Sequence, residues 1–291
     1  MGIDLMHQWA GLLSTLPHRI LGLSGWLLAM AALFCILERW RPLRPQRFWR
    51  DGLAQDVLYY FLGGILPAFF MVAAAATLAR CLGYLISSDV YAWIGQTPLW
   101  LRITFAIVLG DVAYYWAHRW SHEIPWLWRF HSVHHNPTSL DWLVNTRAHV
   151  FDLVFVRTVA VVPILALGMQ RGSLVGLETA IAAYLTVSTV WAFFIHANVS
   201  WRFGWLEHLV VSPAFHHWHH GNDDASVVNK NYASLLPFLD RLFGTHYLPT
   251  ERFPASYGLA AARTSNLVAA GTARFDRPRP AAPAAVRRTR V

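Results

Sequence analysis

Long uncharged runs alternate with short polar segments along this chain, and their lengths suit helices that cross a bilayer. Ile20 to Leu37 is an uncharged run of 18 residues, close to the roughly 20 needed for a spanning helix. Val57 to Ala79 is a second run, with Pro67 as a kink that neighbouring helices must accommodate. Leu99 to Ala117 is a third, carrying Asp111 in its inner half. Val150 to Met169 and Leu174 to Ile195 form a further pair joined by a tight QRGS turn, trimmed by Arg157 and Glu178. That pair either crosses fully or is re-entrant, and in both cases the chain returns to the side it left. The pattern predicts an all-α, polytopic transmembrane bundle.

Charge orients the bundle. Arg39, Arg41, Arg44, Arg47 and Arg50 follow the first run, and positive residues in short loops mark the cytoplasmic side. The N-terminus is then outside, the loop from Arg80 to Pro98 outer, and the end of the third span cytoplasmic. Residues 1 to 19 lack a basic start and a cleavage site and do not read as a signal peptide. Past Gly258 the chain becomes Ala, Arg and Pro with seven arginines, which predicts a disordered, cytoplasmic tail drawn to anionic lipid. The expected division is 1–97 as N-terminal transmembrane helices, 98–257 as a catalytic unit and 258–291 as the tail.

Composition agrees with a membrane protein. Of 291 residues 55% are hydrophobic and only 14% charged, against about 25% charged in soluble domains. The 15 tryptophans suit interfacial belts. Cys35 and Cys81 both lie in apolar stretches and give neither a disulfide framework nor a C-x-x-C zinc site. The net charge of +8 rests largely on the tail, and nucleic acid is not an expected partner.

Histidines are concentrated where the topology puts one membrane face. His118, His122, His131, His134 and His135 fall between Asp111 and His135, and His216, His217, His219 and His220 fall in SPAFHHWHHG. Both H-x-x-x-H and H-x-x-H place rings on one helix face. His131-x-x-His134-His135 recurs as His216-x-x-His219-His220, and His196 emerges on the same side. Neutral imidazole is a common metal ligand. Eight or more imidazoles exceed what one six-coordinate ion can use, so the inventory implies two metals. Asp111, four residues before Tyr115 and seven before His118, shares their helix face. The expectation is that it orients a ligand histidine. His217, extra to the H-x-x-H-H spacing, reads as a passenger, rotated about 100° from His216.

These motifs resemble the fatty acid hydroxylase and sterol desaturase superfamily of integral membrane histidine-box enzymes. The boxes are HRWSH (118 to 122), HSVHH (131 to 135) and HHWHH (216 to 220). Companions are Asp111 with Tyr115, His196-Ala197-Asn198, Ser212-Pro213, Asn231-Tyr232, and Asp240 with Phe243-Gly244-Thr245. The similarity covers roughly Pro98 to Pro249. The family's R-x-H-P-x-E appears as Arg147-Ala148-His149-Val150-Phe151-Asp152, without the proline and with aspartate for glutamate. Leu239 stands where tryptophan is usual, and His246 where an aromatic is usual.

The resemblance implies a di-iron centre with O2 as co-substrate. Its metal ligands would be His118, His122, His131, His134, His135, His196, His216, His219 and His220. His149 and His217 are further candidates, and Asp111 and Tyr115 would stand behind the ligands. It implies hydroxylation or desaturation of a lipid, sterol or fatty acyl, at an unactivated C–H bond, within a cytoplasmic histidine-rich cap on an inner or plasma membrane. No haem motif, dinucleotide fingerprint or iron–sulfur cysteine set is present. Electrons are therefore expected from a separate cytoplasmic-side protein. Two other classes stay open: a metal-dependent membrane hydrolase, opposed by the lack of H-E-x-x-H, and a non-catalytic metal-binding or transporting membrane protein, opposed by the few polar residues within the spans.

Overall fold

The structure is a computed structural model and describes residues 13–167, 174–223, 226–250 and 252–259. The readings made for residues 1–12, for the QRGS turn and for the tail from residue 260 lie outside the described residues. Among those described, helices α1 (Leu16–Trp40), α2 (Leu53–Gly83), α3 (Ser88–Gln96), α4 (Leu99–Glu123) and α5 (Pro125–His135) come first. A 3₁₀ turn (Trp142–Thr146), α6 (Val150–Ala166) and α7 (Leu174–His196) follow. A second 3₁₀ turn (Gly204–His208), α8 (Pro213–His220) and α9 (Phe238–Leu242) complete the order. Among the described residues no strand forms. Two isolated antiparallel bridges join Pro42 to Val199 and Gly221 to Tyr257.

Among the described residues three helices are long and apolar enough to cross a membrane: Leu16–Trp40, Leu99–Glu123 and, within α7, Thr179–His196. On α1 the side chains of Leu21, Leu28 and Ile36 are 73, 71 and 67% exposed. Seven- and eight-residue steps put them on one face, and an apolar face that open is suited to lipid. The Val57 to Ala79 run lies inside α2, a helix of 31 residues that passes through Pro67 without ending.

The interior of the bundle is built on small residues. Ala106 of α4, Ala160 of α6 and Ala180 of α7 are buried in one cluster with Ile164 and Tyr184, and small side chains let apolar helices approach closely. At Gly110 a Cβ would stand 2.5 Å from the Tyr184 ring, so only glycine admits that tyrosine against α4. A second cluster ties α1 to the first 3₁₀ turn and the end of α7 through Phe34, Trp142, Phe193 and Val199. A third unites Tyr115, Ile195, Phe215, Tyr232 and Leu239. The C-terminal halves of α4 and α7 are thus locked to α8 and to the chain around Tyr232, at the end where the histidines lie.

Candidate metal centre

Helix termini bring the histidines together. α4 runs unbroken through His118 and His122 to Glu123, and Pro125 opens α5 at its first turn, where its missing N–H costs nothing. α7 ends on His196. α8 begins at Pro213 behind Ser212, whose hydroxyl accepts the Phe215 N–H at 3.2 Å. That cap fixes where the HHWHH turns start.

The nine histidines expected as ligands, His196 included and His217 not, are all buried, and they fall into two groups. His118, His122, His131, His135 and His219 each offer a nitrogen within 4.8 Å of the others, and so do His134, His196, His216 and His220. Each H-x-x-H-H box is split. His131 and His135 go to the five-histidine group and His134 to the other; His216 and His220 go to the four-histidine group and His219 to the other. The reason is helical pitch. Residues four apart are rotated by about 40° and share a direction, whereas adjacent residues diverge by about 100°. Adjacent histidines therefore face two centres from one unbent helix. The groups share a wall, with the His135 and His220 rings stacked at 4.3 Å.

One nitrogen of most rings is held from behind. His118 Nδ1 bonds to the Tyr232 carbonyl at 2.7 Å, His219 Nδ1 to that of Lys230 at 2.9 Å, and His131 Nδ1 to the Asp152 carboxylate at 2.9 Å. In the other group, His134 Nδ1 meets the Arg147 carbonyl at 3.2 Å and His196 Nδ1 that of Ala192 at 2.7 Å. A ring that donates from Nδ1 carries a lone pair on Nε2. Those lone pairs point inward. The buried Nε2 atoms of His118, His131, His135 and His219 have no hydrogen-bond partner. In the four-histidine group the Nε2 of His196 lies 3.1 Å from that of His134, 3.0 Å from that of His216 and 3.2 Å from that of His220.

Two acceptors facing each other at such a distance repel, and burial makes the repulsion costly. A cation between them reverses the sign. Among the rings outside the spanning helices, burial first and neighbouring imidazoles second hold His135, His216, His219 and His220 well below the ordinary imidazole value. His134 is lowered to about 3 by the same causes. Neutral rings are the form that binds metal. The donor set thus fits two ions. Zinc is satisfied by about four protein ligands. A group of five imidazoles suits a six-coordinate metal such as iron better.

The remaining expected residues are placed elsewhere. Asp111 touches no histidine. It is fully buried and accepts from Ser234 Oγ at 2.6 Å, Leu235 N at 3.1 Å and Leu236 N at 2.8 Å. Its helix face is shared with His118, but the 234–236 backbone intervenes. It fixes the segment whose Tyr232 carbonyl holds His118, with Asp240 accepting from Tyr232 N and Ala233 N at 2.8 and 2.9 Å. Tyr115 likewise bonds to Thr245 Oγ1 at 2.9 Å and not to a ligand candidate. His149 is exposed and caps α6, its Nδ1 accepting the Phe151 N–H at 3.1 Å. His217 is buried with both nitrogens used, on Tyr257 Oη at 2.7 Å and the Ala197 carbonyl at 3.0 Å. Neither belongs to a group.

The carboxylate that does hold a histidine is Asp152, which also accepts from Ser121 Oγ at 3.3 Å. Its position in R-x-H-x-x-D was the available signal.

Residues 103–245 match the family model "Fatty acid hydroxylase". The chain is 29% identical over 244 residues to the ornithine lipid hydroxylase OlsE of Rhizobium tropici, covering 80% of this chain and 69% of that protein. It is 30% identical over 156 residues to the alkylglycerol monooxygenase of Homo sapiens, covering 53% of this chain but 32% of that protein. It is 27% identical over 159 residues to a very-long-chain aldehyde decarbonylase, GL1-11, of Oryza sativa subsp. indica, covering 50% and 52%. No solved structure matches the chain. With its boxes, their companions and the matched stretch in agreement, residues 103–245 carry a fatty acid hydroxylase domain.

Proposed function

We propose that this protein is an O2-dependent, di-iron membrane oxidoreductase that oxidises a lipid at an unactivated C–H bond. The observation that carries the reading is the inward convergence of buried imidazole nitrogens in two adjoining groups of five and four. The chemistry supplied by two iron ions bound there is reductive activation of O2 for attack on that bond.

His118, His122, His131, His135 and His219 would hold one ion, and His134, His196, His216 and His220 the other. Asp152 keeps the His131 proton on Nδ1 and its lone pair inward. The Tyr232, Lys230, Arg147 and Ala192 carbonyls do the same for His118, His219, His134 and His196. Asp111 and Asp240 hold the Tyr232 carbonyl in place. Burial limits the water around the histidines. Rings at the ends of apolar helices stand where a lipid tail can reach them from the bilayer. Hydroxylation is favoured over desaturation because the names of two similar proteins are hydroxylase and monooxygenase.

Hydroxylation takes one oxygen atom of O2 into the lipid and reduces the other to water, which consumes two electrons and two protons. The electrons come from a separate redox protein on the side of the membrane where the histidines lie. The arginines from Arg39 to Arg50 support a cytoplasmic position for that side, and reporter fusions at Gly52 and after Gly258 should both read cytoplasmic. The central test is the purified full chain in lipid nanodiscs with a chemical reductant. About two iron ions per chain and O2-dependent hydroxylation of a supplied membrane lipid extract are expected. Zinc in place of iron, with no O2 consumed, would favour the hydrolase reading instead.

A further inference from the structure

The two groups differ in where their support comes from. The five-histidine group is braced by Asp152, Lys230 and Tyr232, all within residues 103–245, the stretch that matches the family. The four-histidine group is held through Arg147 and the turn after His196, and both are gripped by residues that precede residue 103.

Asp56, near the start of α2, is fully buried and receives Arg147 Nε at 2.5 Å and Arg50 Nη2 at 2.7 Å. Its own carbonyl accepts from Thr146 Oγ1 at 2.7 Å. Gly52 takes a φ of +82°, and a Cβ there would collide with Arg147 Nη2. α2 therefore begins as a clamp on Arg147, whose carbonyl holds His134. Glu38, at the end of α1, accepts the Asn198 N–H and the Trp142 N–H on one oxygen, both at 2.8 Å. Asn198 lies two residues past His196. Its amide brackets Arg44, accepting from the Arg44 N–H at 3.0 Å and donating to the Arg44 carbonyl at 2.7 Å.

A buried carboxylate is expensive to desolvate, and apolar side chains would hold two helices together at lower cost. Glu38 ends on the backbone N–H two residues past His196, and Asp56 ends on the guanidinium of Arg147, the residue whose carbonyl holds His134.

We infer that Asp56 and Glu38 are positioning residues for the four-histidine group. Asp56 sets His134 through Arg147, and Glu38 sets His196 through Asn198. The N-terminal helices thereby complete one of the two metal sites. The inference rests on the proposed metal-binding role of these histidines. It differs from a purely structural role in being selective, because the brace reaches one group and not the other.

The test is anaerobic ferrous iron titration of the full chain in nanodiscs, with thermal unfolding alongside. Wild type should take two ions. Asp56→Ala and Glu38→Ala should take the first ion as wild type does and the second about 10-fold or more weakly, the scale seen when an outer partner of a ligand is removed. Glu38→Gln should restore the second ion, because its amide oxygen accepts the same two N–H groups. In a His134→Ala background, Asp56→Ala should weaken second-ion binding no further.

Two ions at wild-type affinity in both alanine variants overturns the inference. Equal loss of both ions in both variants overturns it too, since the role is then only structural. A wild-type chain that takes no iron instead overturns the proposed function.

Discussion

The five-histidine and four-histidine groups use the same side chain and the same helical spacings, yet they are built differently. In the first, a carboxylate stands behind His131, and four rings turn a buried, unpartnered Nε2 inward. In the second, the outer partners of His134 and His196 are backbone carbonyls, and His196 Nε2 lies 3.0 to 3.2 Å from those of three neighbours. A carboxylate raises the electron donation of the ring it holds, whereas a carbonyl mainly fixes its orientation. The comparison teaches that the two groups are not equivalent. The first is the more electron-rich set of five, and the second a closer set of four, which would leave an ion bound there more positions for a small molecule.

The largest effects should come from the ligands themselves. His131→Ala and His196→Ala should each abolish turnover and lower iron from about two ions to about one per chain. Retention of full iron by either would break the division into groups. Removing both ions with a chelator leaves facing lone pairs buried. Ligand binding at a thousand times Kd stabilises by about 4 kcal/mol, so the iron-free chain should melt well below the loaded one. An unchanged Tm would show that the ions do not hold the groups together. Asp152→Asn should cost about 10- to 100-fold in activity or in affinity for the first ion, leaving the second ion unaffected. Equal weakening of both would remove the distinction between them.

Smaller effects fall on residues outside the groups. Asp111→Asn disturbs three hydrogen bonds at Ser234, Leu235 and Leu236 and should cost about 1–3 kcal/mol of stability. Both ions should remain, as measured by iron content and thermal unfolding. His149→Ala removes a helix cap and should cost about 1 kcal/mol without loss of iron. His217→Gln should keep both ions. Loss of half the iron there would move the last box by one residue and make His216 the passenger.

The sequence by itself determined the helices, the end of the bundle where the histidines collect, and which nine of them converge. Apolar run length and histidine spacing are local properties, and helical pitch converts them directly into a shared face. It also held the reason to set His217 aside. The tertiary structure decided which histidine faces which centre, because that depends on how α4, α5, α7 and α8 are rotated against one another. It replaced Asp111 with Asp152 as the carboxylate on a histidine. Asp111 has the right helix face but finds the 234–236 backbone first, while α6 carries Asp152 to His131. It also brought Glu38 and Asp56 against residues 104 to 160 and 91 positions away. Those pairings follow from the packing of α1 and α2 on the later helices, and no periodicity within the chain encodes them.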